Sequence, residues 1–189
     1  MEQQVLMGLM ARGIPEHVAR GIVANMMVES RLEPGINEIA PVVPGSRGGY
    51  GLNQWTGPRR RQYEAFAAER GARPDDLNTQ LDFTLWELQN SEKAAGSAVM
   101  GAPDAETAAR LYSERFLRPG VPNMQARLNA LGGIGPAGGP IPPPHNALAP
   151  PQQQQPQQPR PNAFANMQPV LLDPASFMTS RRYNLLGNG

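Results

Sequence analysis

Residues 25–32 read Asn25-Met26-Met27-Val28-Glu29-Ser30-Arg31-Leu32 and place a carboxylate where helical periodicity calls for a core residue. At about 100° per residue, with Val18 as the reference, Ile22 falls at about 40°, Met26 at about 80° and Glu29 at about 20°, inside the apolar arc. An ionised carboxylate taken out of water is disfavoured unless it is paired, hydrogen-bonded or protonated. The same physics makes it useful, because a Glu among apolar neighbours keeps its proton near neutral pH and can deliver it to a leaving group. Spacing alone leaves a second reading open, in which Glu29 pairs with Arg31 or caps the following loop.

Outward from this stretch the pattern is helical. Pro15 suits the first turn of the helix that ends at Glu29, since it has no N–H to leave unpaired. An earlier amphipathic helix carries Val5, Leu6, Leu9 and Met10 and stops at Gly13, where a left-handed cap costs glycine least. From Glu33 to Gly57 the helical pattern lapses, and Pro34-Gly35, Pro41, Pro44-Gly45 and Gly48-Gly49 predict a small β-hairpin or irregular loop. Helices are predicted again from near Pro58 to Gly71 and after Asp75-Asp76, the latter with Leu77, Leu81, Leu85 and Leu88 on a core face. Shorter ones follow Ser91, follow Asp104 with Ala108, Leu111, Tyr112 and Phe116, and run from Pro122 to Leu131. Residues 1–132 thus read as one mainly α domain of α+β type, large enough to bury its own core.

Beyond it the composition changes. Residues 133–161 are rich in Gly, Pro and Gln, with Pro142-Pro143-Pro144 and Gln152 to Gln155, and predict a stiff extended tether. Residues 162–189 cluster Phe164, Met167, Val170-Leu171-Leu172, Phe177-Met178 and Tyr183-Asn184-Leu185-Leu186 in a segment too short to bury them, as expected of a docking peptide.

Composition narrows the chemistry. The 189 residues carry a net charge of +1, which gives no electrostatic argument for nucleic acid. There is no cysteine, and the two histidines, His17 and His145, are far apart, so neither a thiolate site nor a histidine metal centre is expected, and no cofactor. The N-terminus lacks a basic start and a long apolar run, and no segment is long enough to span a bilayer; synthesis in a cytoplasm is expected.

The second informative stretch is Gly48-Gly49-Tyr50-Gly51-Leu52-Asn53-Gln54-Trp55-Thr56-Gly57. Glycines permit close backbone approach, and Tyr50, Asn53, Gln54 and Trp55 offer stacking faces with planar amides. A sugar presents apolar ring faces and many hydroxyls, so aromatics and amides beside a protonated carboxyl suit glycosidic cleavage. Read singly, Trp55 is equally a core anchor and Gln54 a loop-capping amide.

Together, Met27-Val28-Glu29-Ser30-Arg31-Leu32, the Gly49 to Gly57 segment and Arg118-Pro119-Gly120-Val121-Pro122 resemble the phage tail lysozyme family over roughly residues 4–131. The resemblance implies a lysozyme-like fold, with Glu29 as catalytic acid, Tyr50, Gln54 and Trp55 lining the substrate cleft, and Ser30 holding the local turn; Asn53 joins the substrate-binding candidates by its amide alone. Family members often carry an acid just before Arg-Pro-Gly. This chain has Leu117 there, so no role is carried over from that acid.

The implied substrate is the glycan strand of peptidoglycan, cut by a lysozyme during phage entry or by a lytic transglycosylase using the same Glu. A catalytically silent structural adaptor of the tail or internal virion core is the alternative from another class. Glu33 and Glu38, in the loop between the motifs, are the candidates for a second carboxylate, whose spacing from Glu29 distinguishes retention from inversion. A virion location is expected, in the tail before the internal core, with residues 162–189 docking to phage structural proteins.

Overall fold

The computed structural model describes residues 1–138, which fall within a single compact unit. The expected docking peptide, residues 162–189, and most of the expected linker, residues 133–161, lie outside the described residues. The described part is built of α1 Glu2–Met10, α2 Glu16–Ser30, α3 Gly57–Glu69, α4 Leu77–Gln89, α5 Lys93–Met100, α6 Ala105–Leu111, a π-helical segment Tyr112–Leu117 and α7 Met124–Gly133. No helix among them is long and apolar enough to cross a membrane.

Helix α2 is the central element, burying Val18, Ala19, Ile22, Val23, Ala24 and Met26 in one cluster with residues of α1, α4, α5 and α6. Gly21 sets its approach to α6, because a Cβ there would stand 2.7 Å from the Ala109 nitrogen and 2.8 Å from the Ala105 carbonyl oxygen. Four residues on, Asn25 Nδ2 donates to Gly21 O (2.8 Å) and Ala109 O (3.0 Å), fixing the crossing with polar bonds as well as packing.

The helix starts follow their caps: the Asp76 side chain accepts from Thr79 N at 2.7 Å, and that of Asp104 from Thr107 N at 2.7 Å. Gly13 takes φ 82°, as its capping position requires. Leu81, Leu85 and Leu88 are buried, and Leu77, at the first position of α4, is only partly so.

Of the two forms expected after Glu33 the irregular loop holds, and one helix departs from its expected course. The segment after Glu33 forms no strand among the described residues and therefore no regular hairpin; it holds two isolated bridges, Asn37 to Tyr50 and Tyr50 to Trp55. Positive φ at Gly48, Gly51 and Gln54 bends the backbone before either pairing can extend. The helix expected to carry Ala108 through Phe116 also changes pitch, with α6 ending at Leu111 and a π-helical turn taking over, closed by Arg118 N donating to Ser113 O at 2.8 Å. Such turns often accompany functional sites.

A second cluster, of Trp55, Tyr63, Phe66 and Phe83, lies under the 33–56 segment, with Tyr50 and Trp86 packed against it. Trp55 stacks on Tyr63 with ring centroids 4.7 Å apart and meets Phe83 edge-on at 5.3 Å. The segment is thus anchored by aromatic packing where a sheet is absent.

Candidate active site

Glu29 sits in the last turn of α2, where the chain is tightly specified. Ser30 Oγ donates back to Met26 O at 2.9 Å, Arg31 and Leu32 take left-handed φ of 54° and 60°, and Glu33 N donates to Ser30 O at 3.0 Å. Two consecutive non-glycine residues in that region are strained, and such strain tends to gather at functional sites. The Glu29 side chain is 18 % exposed, and its Oε1 accepts from Arg127 Nη2 at 2.7 Å. The apolar setting read from periodicity is therefore incomplete, since the carboxylate has a buried cationic partner on α7. The pairing with Arg31 that spacing left open is not made.

A cleft of about 370 Å³ opens beside Glu29. One wall comes from the 38–56 segment, through Glu38, Gly49, Asn53, Gln54 and Thr56, and the other from Leu117, Arg118, Pro119 and Gly120 after the π-helical turn. The three stretches of the sequence resemblance meet in this cleft. Arg118 holds the second wall by a bidentate pair with Glu92, both bonds 2.8 Å, and its guanidinium holds the Glu92 carboxyl below the usual carboxylate range.

Glu38 is pinned at the rim, with its Oε2 accepting from Gly49 N at 2.9 Å and its own N donating to Gly49 O at 2.8 Å. Any side chain at Gly48 would collide with it, a Cβ there lying 2.9 Å from the Glu38 Cβ. Glu33 is exposed and does not line the cleft.

The polar side chains of the 48–57 stretch divide. Gln54 is half-buried at the cleft wall, bent back so that Nε2 donates to Gly51 O at 3.0 Å. Asn53 lines the cleft, but its amide is engaged inward: Nδ2 donates to Thr84 Oγ1 (2.9 Å) and Oδ1 accepts from the Tyr112 hydroxyl (2.8 Å). Burial pushes the Tyr112 phenol well above its ordinary range, so it remains a donor to Asn53.

Tyr50 and Trp55 are not brought to the cleft. Tyr50 stacks on Tyr63 at 6.3 Å beneath the Arg60 guanidinium at 5.0 Å, and burial, with the nearby Asp75 carboxylate, raises its phenol above the ordinary value. Trp55 is 1 % exposed, and its Nε1 donates to Glu87 Oε2 at 2.7 Å. Its ring is a core anchor with no face offered to a ligand, which corrects the sugar-platform expectation.

Several residues were missed from sequence. Arg127 was detectable by the periodicity that singled out Glu29: with Met124 as reference on α7, Leu131 lies at about −20°, Leu128 at about 40° and Arg127 at about −60°, on the edge of an apolar arc. Gln80 gave no such signal. From α4 it accepts from Leu52 N (2.8 Å) and donates to Pro34 O (2.7 Å) and Pro74 O (2.8 Å), clamping both ends of the loop. Among the described residues no three His, Asp or Glu side chains converge as metal ligands.

Chemically, the arrangement offers two carboxylates, Glu29 and Glu38, each anchored through a single oxygen at a polar, open groove. Among similar proteins, Morphogenesis protein 1 of Bacillus phage B103 is 30 % identical over 132 residues, a match covering 66 % of this chain and 35 % of that protein. The chain thus spans about a third of that relative's length. Residues 1–130, well over half of the chain, match the sequence description of one family, and with the two motifs facing each other across the cleft the chain belongs to the phage tail lysozyme family.

Proposed function

We propose that this protein cleaves the glycan strand of peptidoglycan, with Glu29 as the proton donor to the glycosidic oxygen. The observation that carries this reading is the placement of Glu29 in the wall of a polar cleft inside the family-matched region, with one oxygen tied to Arg127 and no hydrogen bond on Oε2 among the described residues. A carboxyl acting first as acid and then as base suffices for a transglycosylase, in which the sugar's own hydroxyl closes an anhydro ring. In a hydrolase, water takes that position and a second carboxylate orients it or forms a covalent intermediate.

Glu38 favours the hydrolase, because it lines the same cleft and is held there by Gly49. Gln54 and the backbone of the Gly49 wall supply the polar contacts for sugar hydroxyls. Tyr50 and Trp55 act through the packing that holds this wall.

The setting we propose is the virion, in the tail before the internal core, where local opening of the wall serves entry. The morphogenesis relative and the family's tail association support it. Residues 162–189, with their apolar clusters, are proposed to dock to phage structural proteins, and residues 133–161 to tether them. The adaptor reading has no comparable support, since a silent domain has no need of an acid at an open cleft.

The test is product analysis of purified peptidoglycan incubated with the full chain. New reducing ends identify a hydrolase and anhydro sugars a transglycosylase. Intact glycan strands refute both.

A further inference from the structure

Arg127 is an expensive residue to have where it is. Its side chain is 2 % exposed, and Nη2 is its only nitrogen with a hydrogen-bond partner, since Nε and Nη1 are buried without one among the described residues. A buried guanidinium with two unpaired nitrogens, which together carry three N–H groups, has a desolvation cost that a single ion pair rarely offsets, and an apolar side chain of similar volume would avoid it. Stability therefore gives no reason for an arginine at this point of α7.

Geometry gives one. A glutamate has three rotatable side-chain bonds, and a proton donor at an open cleft works only when its reacting oxygen is held in place. Beneath Glu29 the backbone is fixed by the Ser30 bond to Met26 and the left-handed Arg31 and Leu32. Beside it Arg127 takes Oε1, 98 residues away in sequence.

We infer that Arg127 is a positioning residue, which holds Oε1 of Glu29 so that Oε2 faces the cleft. This rests on the reading of Glu29 as the reacting acid. Arg127 makes no step of the chemistry itself and need not touch the substrate.

The experiment measures kcat and KM separately on soluble peptidoglycan fragments for full-length wild type, R127K, R127M and E29Q, with thermal unfolding of each. A reacting group displaced by about 1 Å loses on the order of 10²-fold in rate. R127M is expected to lower kcat by about that factor with KM within about twofold. R127K, which keeps the charge on a shorter, single-point donor, is expected to recover roughly tenfold of the loss. Should R127M fail to fold, R127K carries the test, folded with wild-type KM and kcat roughly tenfold low.

A folded R127M or R127K with wild-type kcat overturns the inference, as does a loss confined to KM or proportional to the unfolded fraction. In those cases an inactive E29Q leaves the lytic reading standing. An inactive wild type, or an E29Q as active as wild type, overturns the lytic reading and this inference with it.

Discussion

Two of the glutamates that the described residues pair with an arginine, Glu87 and Glu29, have surroundings that differ in a way that separates structure from function. Around Glu87 on α4 everything is closed. The side chain is 0 % exposed, Arg59 donates Nε to Oε1 (2.7 Å) and Nη2 to Oε2 (2.9 Å), and Trp55 Nε1 adds a third bond at 2.7 Å. Arg59 is itself occupied, with Nη1 on Phe116 O (3.1 Å) and its guanidinium 4.5 Å from the Phe116 ring centroid. Around Glu29 one oxygen is held, the other has no partner among the described residues, and a cleft lies alongside. A fully bonded carboxylate fixes the fold, whereas a singly held one at a groove is available for chemistry.

The largest expected effect lies on the closed side. Glu87→Leu takes the shared acceptor from the half-buried Arg59 guanidinium and the buried Trp55 indole N–H, and removal of one partner from a buried pair costs about 3–5 kcal/mol. Denaturant unfolding is expected to show a loss of that size. Glycan cleavage per folded molecule should be retained, and its disappearance would place Glu87 in the mechanism and blur the comparison.

Next comes the open side. Glu29→Gln keeps an acceptor for Arg127 but removes the counter-charge of a buried guanidinium, so a stability loss of about 1–3 kcal/mol is expected. The same substitution removes the proton donor and lowers kcat about 10²-fold or more, equivalent to about 2.7 kcal/mol in the barrier. A third substitution decides where Trp55 belongs. Trp55→Phe deletes the bond to Glu87 and should cost about 1–3 kcal/mol of stability with glycan KM unchanged. A raised KM with unchanged stability would return that ring to the cleft.

The smallest effect concerns the cleft's second wall. Glu92 is held below its ordinary range by the hydrogen bond from Arg118. A depressed folded value adds stability above the usual carboxylate range and loses it as pH falls through the lowered value. Half-exposed Arg118 limits the contribution to about 0.5 kcal/mol. The wild-type advantage over Glu92→Gln should therefore be present at neutral pH and vanish in acid. An advantage constant down to the lowest pH would detach it from this pair.

The same contrast explains what the sequence could tell. Helix α2, its glutamate and the aspartate caps of α4 and α6 were legible because each depends on residues within a few positions of one another. The role of Trp55 was not, because an aromatic in a glycine-rich loop serves a sugar or a core equally well. Its deciding partner, Glu87, is 32 residues away. The π-helical turn was invisible for another reason: Ala108, Leu111, Tyr112 and Phe116 satisfy an ordinary helical period, and the extra residue shows in the backbone bonding, as in the Arg118 to Ser113 bond. The cleft was half legible, with two walls named by motif and Arg127 overlooked because charged residues on a short helix are usually solvent-facing.

The measurement that bears most directly on Glu29 as the acting acid is the rate of glycan-strand cleavage by Glu29→Gln, at a temperature where circular dichroism shows the variant fully folded. A properly folded variant at about one hundredth of the wild-type rate or below is predicted. Cleavage at the wild-type rate by that folded variant would contradict the account.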